Sequence, residues 1–112
     1  MEKIVIFSFK GDPLCFMHVL LNAADMNEKG MDVKIVIEGE SVKIIKEMEE
    51  SANTLYLKVK EKGLIDCICK ACSAKMGVLE FNSGVGIPIV GDMNGHPSMS
   101  SYISKGYTVI TL

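Results

Sequence analysis

Residues Lys3 to Phe9, KIVIFSF, place apolar and β-branched side chains at nearly every consecutive position. Successive strand residues point to opposite faces, so such a run needs apolar cover on both sides. That condition is met by a parallel strand inside a sheet with helices on its two faces. Lys10-Gly11-Asp12-Pro13 breaks the strand. Asp12 suits a helix cap, and Pro13 the first helical position, where a missing N–H costs nothing. From Leu14 to Lys29, Met17, Leu20, Leu21, Ala24 and Met26 come near helical spacing, and Gly30 ends the helix. A second strand is expected from Met31 to Glu38, with Val33, Ile35 and Ile37 on one face.

The same alternation continues. Gly39-Glu40-Ser41 opens a second helix with Ser41 as its cap and Val42, Ile44, Ile45 and Met48 as its apolar stripe. Glu49 to Asn53 reads as a loop or junction, Thr54 to Lys62 as a helix stopped by Gly63, and Leu64 to Cys69 as the third strand. Ala71 to Met76 forms a short helix ended by Gly77, and Val78 to Gly86 reads as a loop. Ile87 to Val90 is a short strand that Pro88 assigns to a strand start or a sheet edge. Asp92-Met93-Asn94-Gly95 is turn chemistry, Pro97 opens a helix running to Ser104, and Tyr107 to Leu112 is the last strand. The expected fold is a single α/β domain over residues 1–112, a three-layer α/β/α arrangement around a mainly parallel sheet of about five strands. Folds of this kind carry their functional groups at the carboxyl ends of the strands.

Composition narrows the function. Hydrophobic residues make up 48% of the chain and charged residues 23%, a balance that buries a core and excludes intrinsic disorder. All 12 basic residues are Lys and the net charge is −2, so there is no basic stripe for nucleic acid and no guanidinium fork for phosphate. No apolar segment is long enough to span a bilayer and the start lacks a signal-peptide pattern, which leads to the expectation of a cytoplasmic protein. In that compartment four cysteines are expected as free, catalytic or metal-bound thiols.

Reactive chemistry concentrates in LIDCICKACSAKMG, residues 64–77. Cys69-Lys70-Ala71-Cys72 falls where a strand gives way to a helix. A thiol there meets unsatisfied N–H groups and the positive end of the helix dipole, and Lys70 and Lys75 add charge, so a thiolate is expected. Such a thiolate attacks disulfides, accepts sulfane sulfur as a persulfide, or binds a soft metal. The competing reading makes both cysteines small buried hydrophobes. Cys67, two residues earlier, is expected on the same side as Cys69 but deeper, as core filler and a backup partner. Cys15 and His18 form a second pair at helical spacing. With Cys69 and Cys72 they would complete a tetrahedral zinc set, against the plainer alternative of separate packing roles. His96 reads as a cap residue or as a proton donor or acceptor for a nearby thiolate. Gly84-Val85-Gly86 lacks the rest of a dinucleotide fingerprint, and no cofactor is expected.

The chain resembles the DsrE-like superfamily, small α/β proteins that include the DsrE/DsrF and TusD/TusC sulfur-relay subunits. The resemblance is carried by the opening strand and helix, the EKG-DVKIVIEGE second unit, the third-strand ending C-K-A-C-S-A-K-M-G and the closing YISKGYTVITL. It runs nearly end to end and is closest to the single-polypeptide branch with a C-x-x-C. It implies a three-layer α/β/α domain assembling as a homo-trimer or homo-hexamer, with sulfur donor and acceptor proteins as partners. In relay members a cysteine near the end of this strand carries a persulfide, a role that falls here on Cys69 or Cys72. The implied activity is that of a sulfur carrier or sulfurtransferase, with Lys70 and His96 assisting; a thiol redox module and an inert oligomeric subunit are the alternatives.

Overall fold

The computed structural model describes residues 1–112. Five strands, β1 (Lys3–Ser8), β2 (Asp32–Ile37), β3 (Ile65–Cys69), β4 (Ile89–Val90) and β5 (Thr108–Thr111), form one sheet in the order β4-β3-β2-β1-β5. Every neighbouring pair is parallel. Between them lie α1 (Pro13–Glu28), a 3-10 turn (Gly39–Lys43) leading into α2 (Ile44–Glu50), α3 (Thr54–Glu61), α4 (Lys70–Lys75), α5 (Leu79–Asn82) and α6 (Met99–Ile103). The three-layer α/β/α fold expected from the alternation is what the chain adopts. No helix is long and apolar enough to cross a membrane.

The central strands β1, β2 and β3 are buried on both faces, as a doubly apolar run requires, while β4 and β5 stay partly open at the sheet edges. On one face Ile6, Ile35, Ile37 and Ile68 pack against Phe16, Val19, Leu20 and Ala23 of α1 and against Ile45, Met48, Tyr56 and Val59 of α2 and α3. On the other, Val5, Phe7, Val36 and Cys67 pack with Tyr102 of α6 and Tyr107, with half-buried Val90, Met99 and Val109 at the margin. The second layer is thin, so two aromatic rings in edge-to-face contact supply most of its cover.

Several local expectations shift. Asp12 does cap α1, its carboxylate accepting from Leu14 N at 2.8 Å, with Pro13 in the first turn. The buried stripe of α1, however, is Phe16, Val19, Leu20 and Ala23, and Leu21 is 53% exposed. Of the apolar set expected from the sequence, Leu20 lies in that stripe and Met17, Ala24 and Met26 pack along its margin, so Leu21 is the one that turns to solvent. Ser41 caps nothing. It is fully buried, and its hydroxyl donates to Lys10 O at 2.5 Å and pairs with Ser8 Oγ at 2.7 Å, tying the 3-10 turn to the end of β1. The stretch read as a loop after Gly77 contains α5, held because buried Asn82 donates to Val42 O and Ser73 Oγ. Helix α6 begins at Met99 with Ser98 at the cap position, two residues beyond Pro97. His96 belongs instead to a turn closed by reciprocal backbone bonds with Met93, and it caps no helix.

One irregularity and one crossover position the site. Between Ile35 and Val36 the pairing of β2 with β3 shifts, so that Ile35 faces Ile65 while Val36 faces Cys67. Asp66 is the residue left over, and it turns to Lys34 and to the Tyr102 hydroxyl. The crossover concerns β3 and β4. The connection leaving β3 folds onto the α1–α5 face, whereas the one leaving β4 passes to the opposite face, where α6 packs, before reaching β5. Diverging connections leave a crevice at the carboxyl ends of the strands.

Candidate functional site

Three segments meet in that crevice. Glu38 follows directly on β2, fixed by its N–H to Ser8 O at 2.8 Å and by Ser41 N donating to its carbonyl at 3.0 Å. Cys69 ends β3 and caps α4, its Sγ accepting from Cys72 N at 3.4 Å. Cys72 follows one turn later because three residues of helix bring its side chain back over Cys69. His96 comes from the turn after β4. Ala71 N donates to Gly95 O at 2.8 Å and so locks that turn to the first turn of α4.

The four side chains converge on one point. Cys69 Sγ lies 3.2 Å from His96 Nδ1, Cys72 Sγ 3.3 Å from Glu38 Oε1, His96 Nδ1 3.4 Å from the same Oε1, and Cys72 Sγ 3.7 Å from His96 Nδ1. All four donor atoms fall within 4.8 Å of one another. Cys69 and Glu38 are buried, while Cys72 and His96 are half-exposed, so the cluster has a closed floor and an open side.

The electrostatics run against the expected thiolate at Cys69. Burial pushes its pKa far above the ordinary thiol value, and the Glu38 carboxylate adds to the rise; the Cys72 amide opposes both without prevailing. Lys70 is exposed and makes no hydrogen bond or ion pair with the four. Lys70, the first residue of α4, thus stands by the cluster without direct contact to it. These surroundings favour the neutral thiol at Cys69, and the His96 imidazole stands within hydrogen-bond reach at 3.2 Å.

The remaining candidates separate. Cys67 is core, as expected, but it lies in the smaller cluster, with Sγ 3.5 Å from the Tyr102 hydroxyl. Cys69 packs with the larger one, so the two sulfurs do not back each other up. Burial raises Cys67 to about 11. Cys15 and His18 do not join Cys69 and Cys72 in a zinc set. They line a cleft of about 490 Å³ with Phe9, Lys10, Thr111 and Leu112, reached from the start of α1, while the cysteine pair sits over β3. All four cysteines are free thiols. Glu38 escaped the sequence reading altogether. Its one signal is a carboxylate directly after the apolar run Ile35-Val36-Ile37 that ends β2, just where this architecture collects function.

Comparison with known proteins adds lineage. No protein-family model matches the sequence. The uncharacterized protein MJ0733 of Methanocaldococcus jannaschii is 35% identical over 99 residues, which span 86% of this chain and 78% of that protein. This chain belongs to the MJ0733 family. An uncharacterized protein of Archaeoglobus fulgidus is 37% identical over 43 residues, 38% of this chain and 70% of that relative. The names of these relatives state no activity, so the chemistry of the family is argued from the cluster itself. A proton-accepting carboxylate, an imidazole and two thiols in mutual reach make a centre for thiol transfer or for a soft cation.

Proposed function

We propose that the protein is a cytoplasmic sulfur carrier of the DsrE-like kind, with Cys72 as the persulfide-bearing thiol and Cys69 as its resolving partner. One observation carries the reading: of the paired thiols, Cys72 is the half-exposed one, and its Sγ donates to the buried carboxylate of Glu38 at 3.3 Å. Glu38 takes the Cys72 proton, and the thiolate attacks the outer sulfur of a donor persulfide. A new S–S bond forms at Cys72, the donor's S–S bond breaks, and the donor departs as a thiolate that regains a proton. There is no net oxidation. An acceptor protein's thiol then attacks the outer sulfur and restores the Cys72 thiol. Without an acceptor, Cys69 attacks the inner sulfur, which forms a Cys69–Cys72 disulfide and releases hydrogen sulfide. His96, hydrogen-bonded to Cys69, receives the proton of that step. Free thiols suit the reducing compartment this reading requires.

Mass spectrometry of the reduced, metal-free protein after exposure to a low-molecular-weight persulfide tests it. The expected product in Cys69→Ser is a gain of about 32 Da, one sulfur atom, on Cys72; in the wild type the adduct passes on to the Cys69–Cys72 disulfide, about 2 Da lighter than the reduced chain. The adduct should persist in Cys69→Ser, where no resolving thiol is present, and disappear in Cys72→Ser. An adduct insensitive to Cys72→Ser, or none in Cys69→Ser, overturns the proposal.

A further inference from the structure

We infer that Glu38, Cys69, Cys72 and His96 also form a binding site for a single divalent soft-to-borderline cation, with zinc the best fit. This inference goes beyond the sulfur-carrier reading and stands independently of it. Two thiol sulfurs, one imidazole nitrogen and one carboxylate oxygen are the donor types that tetrahedral zinc takes. The spacing suits the ion as well. With metal–sulfur bonds of about 2.3 Å and metal–nitrogen or metal–oxygen bonds of about 2.0–2.1 Å, the edges of such a tetrahedron run from roughly 3.3 to 3.8 Å. The four short separations here are 3.2, 3.3, 3.4 and 3.7 Å. The remaining two separations stay within 4.8 Å, so closing on a cation needs shifts of at most about 1 Å, not a rearrangement of the fold.

The backbone supports the same conclusion. The C-x-x-C turn places Cys72 N–H on Cys69 Sγ at 3.4 Å, and a sulfur already accepting an amide is better able to bear thiolate charge at a metal. The bond from Ala71 N to Gly95 O holds the imidazole over that turn. Glu38, 6% exposed, finds only a thiol and an imidazole near its carboxylate. A 2+ ion would displace the two thiol protons to solvent and leave a set of two thiolates, one carboxylate and a neutral imidazole carrying net charge −1 with the metal. The outer side, open at Cys72 and His96, supplies the path of entry.

Cobalt(II) and zinc titrations of the reduced full-length chain provide the test. One equivalent of cobalt should bring thiolate-to-metal charge transfer and the intense visible bands of a tetrahedral ion, both bleached by one equivalent of zinc. Cys69→Ser and His96→Ala should lose the tetrahedral spectrum, and Glu38→Gln should weaken zinc binding about 10- to 100-fold. The pair Cys15→Ala and His18→Ala should leave it unchanged. Circular dichroism of the metal-free variants separates lost ligands from lost folding, and half-exposed His96 makes His96→Ala the variant that decides. Absence of the tetrahedral spectrum, or a spectrum retained in folded His96→Ala, overturns the inference. Persulfide formation on metal-free protein is read separately, so either proposal can fail alone.

Discussion

At the scale of single residues, burial decides which thiols react. Cys69 carries the C-x-x-C signature but sits at zero exposure beside a carboxylate, and both conditions favour its neutral form. Cys72, one turn on, keeps an open side. Alkylation with iodoacetamide, followed peptide by peptide, should mark Cys15 and Cys72 early and Cys67 and Cys69 late. Glu38→Gln removes a charge that raises the Cys69 pKa, so that pKa falls and the thiolate fraction at neutral pH rises. A thiol titrating well above neutrality gains about tenfold in thiolate for each pH unit by which its pKa drops. Cys69 labelling should therefore accelerate severalfold in Glu38→Gln while Cys67 labelling holds. An unchanged Cys69 rate would show that burial alone suppresses it.

At the scale of elements, the site depends on how tightly the turn after β4 is bound to α4. Gly95 has φ +93°, and a Cβ there would lie 2.9 Å from Ala71 Cβ, far inside normal contact. Helix and turn approach this closely because Ala71 and Gly95 are small. Gly30, at the end of α1, offers a control, with a similar φ of +85° and open space around a Cβ. Alanine at Gly30 should cost about 1 kcal/mol for the left-handed backbone alone. Alanine at Gly95 adds the clash and should cost roughly 1–3 kcal/mol more. Urea denaturation of both variants measures the difference. Equal losses would mean that the turn shifts freely away from α4, and the placement of His96 would then be soft.

At the scale of the whole molecule, the thin layer under α6 sets how the fold responds to alkali. Cys67 has an ordinary thiol value of 9.0 that burial raises to about 11, assisted by the charges of Asp66, Asp92 and Glu38. Tyr102 and Tyr107 in the same layer are raised as well, each chiefly by burial and next by an aspartate hydrogen bond. In each case the folded state holds a proton that the unfolded chain would release. Stability is therefore intact below about pH 9 and falls as pH climbs toward 11. At about 1.4 kcal/mol per pH unit, Cys67 alone accounts for up to roughly 2–3 kcal/mol across that window. Thermal unfolding of the wild type and of Cys67→Ala between pH 8 and 11, a window on the order of those two values, checks this. The variant should start lower, by about 1 kcal/mol for the lost sulfur, and decline less steeply. Parallel declines would assign the loss to the tyrosines and Cys69, whose pKa is raised as well.

Local sequence was enough for the strands, most helix boundaries and the fold class, because hydrophobic period, proline and glycine act over a few residues. KIVIFSF demands cover on both faces wherever it is placed, and Asp12-Pro13 starts a helix without help from the rest of the chain. The pairing of Cys69 with Cys72 was legible for the same reason, since both lie within one helical turn. Membership of the site was legible only in part: His96 stood out as a proton donor or acceptor for a nearby thiolate, and Glu38 did not. Glu38 and His96 stand 31 and 27 positions from Cys69, and only the parallel order β4-β3-β2 brings the ends of their strands together. Cys15 and His18, with equally suitable chemistry, are kept out because α1 carries them to another cleft. The state of the thiols was likewise beyond local reading. Helix position and Lys70 argued for a thiolate at Cys69, and the depth of the crevice reversed the sign. Burial depends on what the whole chain packs above a residue, which no window of neighbouring positions contains.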